Sequence, residues 1–307
     1  MSAEPALHGW LILDKPVGIG STQAVGAVKR ALREGGYAKV KVGHGGTLDP
    51  LASGVLPVAL GEATKLAGRL LGGDKEYEFT IAFGVETDTL DGEGIAVATS
   101  ERRPTLDGIA AVLPRFTGKI EQTPPAYSAL KIGGKPAYAR ARAGEAVNMA
   151  ARSVTVRRLE ILPVSGPEKV AHGKEFVTLS ALVSKGTYIR SLARDIALAL
   201  ETRGHVAMLR RTRAEPFGLA SAISLDKLAE LGKGRRLEQA LLPPAAGLDD
   251  IPALPVTPDQ ARLLRQGQKL IGTSAPPGLH LATADGVPVA LVEVSGPEVR
   301  VVRGFNL

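Results

Sequence analysis

The chain has 307 residues, 44% hydrophobic and 22% charged, near globular averages and long enough to bury a sizeable core. Its formal charge of +7 and sequence pI near 9.6 suit a polyanionic partner such as nucleic acid. The absence of Cys excludes disulfides, thiolate metal sites and a cysteine nucleophile, and no apolar stretch reaches membrane-spanning length, so a cytoplasmic protein is expected.

In chain order, Gly9-Trp10-Leu11-Ile12-Leu13-Asp14 reads as a strand, followed by a Lys15-Pro16-Val17-Gly18 turn. Ser21 or Thr22 is expected to cap a helix running to about Arg33, with Val25, Val28 and Leu32 on its apolar face. Tyr77, Phe79, Ile81 and Phe83 alternate with Glu78, Thr80 and Ala82, the period of a half-buried strand. Residues 176–183 form a second run of strand length, ended by a Ser184-Lys185-Gly186-Thr187 turn. Ile189, Leu192, Ala193, Ile196, Ala197 and Leu200 then recur at helical spacing, which puts Tyr188 and Arg190 where a strand hands over to a helix.

Between Arg115 and Arg158 nine Lys or Arg face only Glu121 and Glu145, so this one segment carries an excess equal to the whole chain's net charge. Lys131, Arg140 and Arg142 lie there among Tyr127, Tyr138 and small residues, a mixture that suits RNA, whose phosphates attract cations and whose splayed bases stack on flat faces. A solvated basic loop would show the same composition. Farther on, Pro243, Pro244, Pro252, Pro255 and Pro258 mark a linker. Beyond it Thr257 should cap a short helix begun by Pro258, and an Asp285-Gly286 hairpin signal joins two short strands ahead of a third at 299–303. A small β-rich domain of about 55 residues is expected there, near the lower limit for independent folding.

The densest candidate for chemistry is Gly43-His44-Gly45-Gly46-Thr47-Leu48-Asp49-Pro50. Glycines before Asp49 and a proline after it fix a tight backbone that leaves the carboxylate at a defined point, although an isolated Asp-Pro most often only starts a turn. Gly18-Ile19-Gly20 lacks the spacing of a phosphate-binding loop. The five histidines show no ligand spacing, so no metal site is expected.

Taken together, these stretches closely resemble the bacterial TruB-type tRNA pseudouridine synthases. Residues 43–65, ending Leu60-Gly61-Glu62-Ala63-Thr64-Lys65, resemble that family's catalytic block. Leu13-Asp14-Lys15-Pro16-Val17-Gly18 is similar to its first motif, and Asp74-Lys75-Glu76-Tyr77 to its tyrosine motif. Pro125-Ala126-Tyr127-Ser128-Ala129-Leu130-Lys131 resembles the start of its RNA-gripping insertion, and Ser184 through Arg190 its third block. His205 to Arg211 is similar to the motif that closes the pocket, and the blocks keep their order over about residues 9–215. Gly45 and Thr47 depart from some family members only at positions that vary.

The resemblance implies a mixed α/β (α+β) fold: a largely antiparallel mixed sheet of pseudouridine synthase type over 1–250, with the insertion at about 120–152 and a small PUA-like β-barrel RNA-binding domain over 251–307. It implies Asp49 as catalytic carboxylate, Tyr77 stacked on a flipped uracil, and Arg190 holding Asp49 bidentately. Tyr188 and Leu209 would line the pocket, His44 would fill or brace the T loop, and Lys15 would support the site. Lys131, Arg140 and Arg142 would bind RNA. The implied reaction is isomerisation of uridine 55 in the tRNA T stem-loop, without cofactor or metal, by a monomer that needs no protein partner. The residue chemistry fits, because a base that is detached, turned and reattached needs a closed slot and an aromatic face. An ionised Asp serves there as nucleophile or base, toward C1′, C2′–H or base C6. Two rivals stand beside this reading. One is a guide-RNA-dependent synthase, against which the short chain argues. The other is a tRNA chaperone without chemistry, against which an intact Asp49, Tyr77 and Arg190 argue.

Overall fold

The computed structural model describes residues 6–128, 130–145, 149–163 and 175–307. The chain opens with β1 (Gly9–Lys15), α1 (Ser21–Glu34), β2 (Val42–His44) and β3 (Ala52–Leu60). It continues through α2 (Ala67–Leu70), β4 (Lys75–Phe83), β5 (Val85–Thr87), β6 (Ala96–Thr99) and α3 (Leu106–Val112). Next come β7 (Gly118–Gln122), β8 (Lys131–Ile132), β9 (Lys135–Pro136), α4 (Ala137–Arg142), β10 (Arg152–Ile161), β11 (Phe176–Val183) and α5 (Ile189–Ala199). The strands β12 (Gly204–Ala214) and β13 (Phe217–Gly218), helix α6 (Leu225–Lys233) and β14 (Leu241–Leu242) complete this part.

These strands form a ten-stranded sheet in the order β14-β1-β3-β12-β4-β11-β10-β7, with β2 on β3 and β13 on β12. All its pairs are antiparallel except β3 with β12, where Ala52 lies opposite Leu209 and Gly54 opposite Arg211. The two backbones meet so closely that a Cβ on Gly54, whose φ is +103°, would sit 2.1 Å from the Arg211 carbonyl oxygen. Only glycine fits there. The sheet thus sets the strands carrying residues 52–60, 75–83 and 204–214 side by side.

The amphipathic pattern of α1 buries Ala24, Val25, Val28, Ala31 and Leu32 against α6, where Ala31 lies so close to Gly232 that a Cβ there would approach within 2.9 Å. Its cap is Gly20 rather than Ser21 or Thr22, with Gln23 Oε1 accepting from Gly20 N at 2.7 Å, which frees Ser21 for another task. β4 also differs from the half-buried expectation: from Phe79 to Phe83 every residue is buried, because the strand lies inside the sheet and Thr80 meets Thr178 of β11 at 3.0 Å.

The proline-rich stretch is fastened down rather than left as a free linker. β14 pairs with β1, Trp10 Nε1 donates to Pro244 O at 3.1 Å, and Leu248 is buried. After it come β15 (Ala253–Pro255), α7 (Pro258–Arg265), β16 (Leu270–Ile271), β17 (Gly278–Ala284), β18 (Val287–Ser295) and β19 (Glu298–Gly304). They make a five-stranded sheet ordered β15-β17-β18-β19-β16. Its small core of Ala261, Leu264, Val289, Val292 and Val299 is separate, but Leu281, Leu291 and Phe305 join Trp10, Ile12 and Val55 in a shared apolar cluster. Lys65 Nζ donates to Gly304 O at 2.9 Å, and Asn306 N to Glu62 at 2.8 Å, beside that cluster.

Candidate active site

Asp49 lies on the connection between β2 and β3, and its backbone is held from three directions. The Ser21 hydroxyl at the start of α1 accepts from Leu48 N at 2.8 Å and donates to Leu48 O at 3.0 Å. Gly18 N donates to Pro50 O at 2.9 Å. From β12, Arg211 sends Nε to Val55 O at 2.8 Å, and its terminal nitrogens to Thr47 O and Gly46 O at 3.3 Å each. Arg211 is buried, and carbonyls rather than a carboxylate accept its hydrogen bonds. The charge of one strand thereby fixes the loop that precedes another.

Arg190 occupies the first turn of α5, which is set by Gln122 of β7. The Gln122 amide donates to Tyr188 O at 3.1 Å and accepts from Tyr188 N at 2.7 Å. One Arg190 nitrogen lies 2.8 Å from Asp49 Oδ2, and the other 3.3 Å from Asp91 Oδ2. The guanidinium therefore divides between two carboxylates instead of holding Asp49 bidentately. It also donates to Thr89 O at 2.8 Å and Tyr127 O at 2.9 Å. Side-chain exposure is 7% for Arg190, 40% for Asp49 and 3% for Asp91, so the arginine joins a solvated acid to a buried one.

Asp91 was not among the residues that the sequence singled out. Its Oδ1 accepts from Thr89 Oγ1 at 2.5 Å and Glu93 N at 3.1 Å. Between them Leu90 takes the left-handed region at φ +62°, uncommon for a residue with a branched side chain, and its carbonyl accepts from Val206 N of β12 at 3.0 Å. Burial, then Asp91 and Asp49, push Glu93 above the usual carboxylate range.

Two cavities meet at this point. One, of about 560 Å³, is walled by Tyr77, Tyr188, Leu209, Lys75, Arg152 and Arg211. The other, of about 500 Å³, is bordered by His44, Thr22, Glu93, Tyr127, Tyr138 and Arg142. They share Thr47, Leu48, Asp49, Ser128 and Arg190. Leu209 is buried, Tyr77 is half-buried, and Arg152 sits over the Tyr188 ring at 5.0 Å. Burial lowers His44 from its ordinary value, and its side chain borders the second cavity.

Lys15 borders neither cavity. It is fully buried beneath the loop, donating to Pro16 O at 2.8 Å and Ile19 O at 2.7 Å, and burial brings it down to about 8. Lys75 is the lysine that borders the first cavity, held by the carbonyls of Leu70, Leu71 and Gly73 and likewise lowered by burial to about 8. In the basic insertion, Arg142 lies 5.8 Å over Tyr138, while Arg140 pairs with Glu145 at 2.6 Å and lines neither cavity. β8 begins at Lys131, whose side chain lies outside the described part.

This sheet brings an acid loop and a distant arginine together over a cleft. Its fold is shared with "Structure of H/ACA RNP bound to a substrate RNA containing 2'-deoxyuridine", at TM-score 0.71 and 26% identity over 98% of this chain and 86% of that one. It is likewise shared with the "archaeal box H/ACA sRNP Nop10-Cbf5 complex", at TM-score 0.69 and 26% identity over 97% and 86% of the two chains. Residues 32–189 match the TruB family pseudouridylate synthase N-terminal domain, and residues 190–248 the tRNA pseudouridylate synthase B C-terminal domain. The chain belongs to the TruB family. It is 60% identical to the tRNA pseudouridine synthase B of Zymomonas mobilis subsp. mobilis over 99% of this chain and 98% of that one. To the proteins of that name from Novosphingobium aromaticivorans and Rhodospirillum rubrum it is 58% and 44% identical, over 98% of this chain in each case and 98% and 97% of theirs. The border between the two matched regions falls inside the first turn of α5, so Asp49 and Arg190 come from different regions of one sheet domain.

Proposed function

We propose that this protein converts uridine to pseudouridine at position 55 of the tRNA T loop. Asp49, Arg190 and Tyr77 carry the reaction in the cytoplasm, where tRNA is processed. The observation that carries this reading is the Asp49–Arg190 contact at the junction of an aromatic slot and a polar antechamber. The target base leaves the T loop, enters the slot between Tyr77, Tyr188 and Leu209, and stacks on Tyr77, which offsets the few kcal/mol that unstacking typically costs. The N1–C1′ bond breaks, the uracil turns, C5 bonds to C1′, the hydrogen from C5 leaves to solvent as a proton, and N1 takes up a proton, so the product is an isomer of the substrate. Asp49 acts on the sugar or base as nucleophile or base, and Arg190 holds it in place without a proton of its own to give.

In the antechamber His44 braces the T loop. Arg142, Arg140 and Lys131 take RNA phosphates, Lys15 supports the Asp49 loop from below, and residues 251–307 serve as a PUA-like RNA-binding domain beside the catalytic part, 1–250. The identity of 60% to a chain named for tRNA, against 26% to the H/ACA chain, favours a tRNA substrate over a guide-dependent one. The test uses a tRNA transcript labelled with tritium at uracil C5. The wild-type protein should release the label from position 55. Asp49→Ala should release none while binding tRNA within a few-fold of wild type, since phosphate contacts elsewhere supply most affinity. Release above a tenth of the wild-type rate would assign the chemistry to another residue.

A further inference from the structure

Among the described residues, four buried side-chain atoms have no hydrogen-bond partner: His44 Nδ1, Arg103 Nε, Ser128 Oγ and Arg152 Nε. Arg103 and Arg152 use their other nitrogens on the Ser100 and Gly186 carbonyls, and His44 braces the T loop in the proposed function. Ser128 is different, because its whole polar group is idle although the residue is only 4% exposed. Its backbone is pinned on both sides: Ser128 N donates to Ala126 O at 3.0 Å, and Ser128 O accepts from Tyr138 N at 3.0 Å. The preceding carbonyl, of Tyr127, accepts from Arg190 at 2.9 Å. The backbone of Ser128 is therefore held next to Arg190, and its side chain lines the cavities at the acid–arginine pair. A buried hydroxyl without a partner is costly and is held for something that completes it.

Its position says what. Ser128 lines both cavities, at the neck they share with Asp49 and Arg190. During the proposed reaction the base turns inside its slot, so a group gripping one base edge in the substrate would lose that edge in the product. The ribose stays put, and Asp49 must reach it or the base beside it. We propose that Ser128 Oγ hydrogen-bonds the 2′-hydroxyl of the target nucleotide, making Ser128 a substrate-binding residue that reads ribose and orients it toward Asp49. This inference rests on the proposed synthase activity.

The experiment crosses Ser128→Ala with the sugar at the target position, using full-length protein and tRNA carrying C5-tritiated uridine or 2′-deoxyuridine there. On the ribose substrate, single-turnover release should fall about five- to tenfold in the variant, as expected for one neutral hydrogen bond. On the deoxy substrate, wild type and variant should match. The same four combinations, measured as dissociation constants in an Asp49→Ala background, give a readout that does not depend on turnover. Ser128→Ala should melt no lower than wild type, since its hydroxyl has no bond to lose. A ribose-to-deoxy ratio that collapses in the variant, in either measurement, supports the contact. An unchanged ratio, whether both rates fall together or neither falls, overturns it. Absence of release by wild type from the ribose substrate would instead sink the synthase reading.

Discussion

Replacing Arg190 with Met removes the cation shared by Asp49 and Asp91, and the two acids should respond differently. Asp49 is 40% exposed and regains water, so its half of the network is worth no more than about 1 kcal/mol of stability. Asp91 is 3% exposed and keeps the Thr89 hydroxyl and the Glu93 amide as donors, neither of which carries a charge. Stranding a buried charge in this way costs about 3 to 5 kcal/mol. Arg190→Met should therefore lose about that much in urea unfolding, read as a shift of the midpoint at constant slope. Adding Asp91→Asn removes the stranded charge and should return about 2 kcal/mol, because sites that share a partner do not behave additively. Tritium release should stay lost in both variants, since Asp49 still lacks its arginine. A double variant no more stable than Arg190→Met would show that Asp91 is not the stranded group. Near-wild-type release from either variant would show that Asp49 does not need Arg190.

Lys15 and Lys75, both lowered to about 8 by burial, bind fewer protons folded than unfolded once pH passes that value. Stability should accordingly rise from pH 8 to about 9.5, below the range where tyrosines ionise, and Lys15→Met or Lys75→Met should flatten the rise in chemical denaturation. Neutralising Lys131, Arg140 and Arg142 together should weaken tRNA binding and reduce its salt dependence by roughly 0.7 to 0.9 log units for each phosphate no longer engaged. Arg142 should account for more of that change than Arg140, whose charge already pairs with Glu145; an unchanged slope would make the segment a solvated surface. Truncation after residue 250 strips Leu281, Leu291 and Phe305 from Trp10, Ile12 and Val55, where each side chain removed is worth about 1.5 to 3 kcal/mol. The truncated protein should melt well below the full chain, and an unaltered melting temperature would show that the sheet domain closes its own core.

What the sequence revealed was mostly local. The Asp285-Gly286 turn has both residues at positive φ, +51° and +77°, as a two-residue hairpin demands, and Thr257 with Gln260 forms the capping box of α7. Tyr188 and Arg190 do sit at the entry of a helix, because a turn and a change of period mark that junction in the residues themselves. What depends on distant partners was hidden. Resemblance placed His205 to Arg211 at the pocket, but only the place of β12 between β3 and β4 explains why Arg211 is buried with three carbonyls accepting from it. Asp91 was not singled out, and Ser21 looked like a helix cap, since neither Arg190 nor Leu48 is near in sequence. Family resemblance supplied the pairing of Asp49 with Arg190, which no spacing rule could give; it did not supply the second acid.

The parallel contact between β3 and β12 also governs when the molecule becomes competent as it is made. A chain synthesised from its N-terminus has Asp49 early, but the carbonyls of Gly46 and Thr47 have no arginine to accept from until Arg211 leaves the ribosome. Gly54 likewise waits for the strand it touches, and β1 for β14. Such long-range pairings close late and slowly. A nascent chain cut short before residue 211 thus displays the Asp49 carboxylate on a loop that Ser21 and Gly18 can hold but Arg211 does not, so the proposed centre is complete only when nearly the whole sheet domain has been translated.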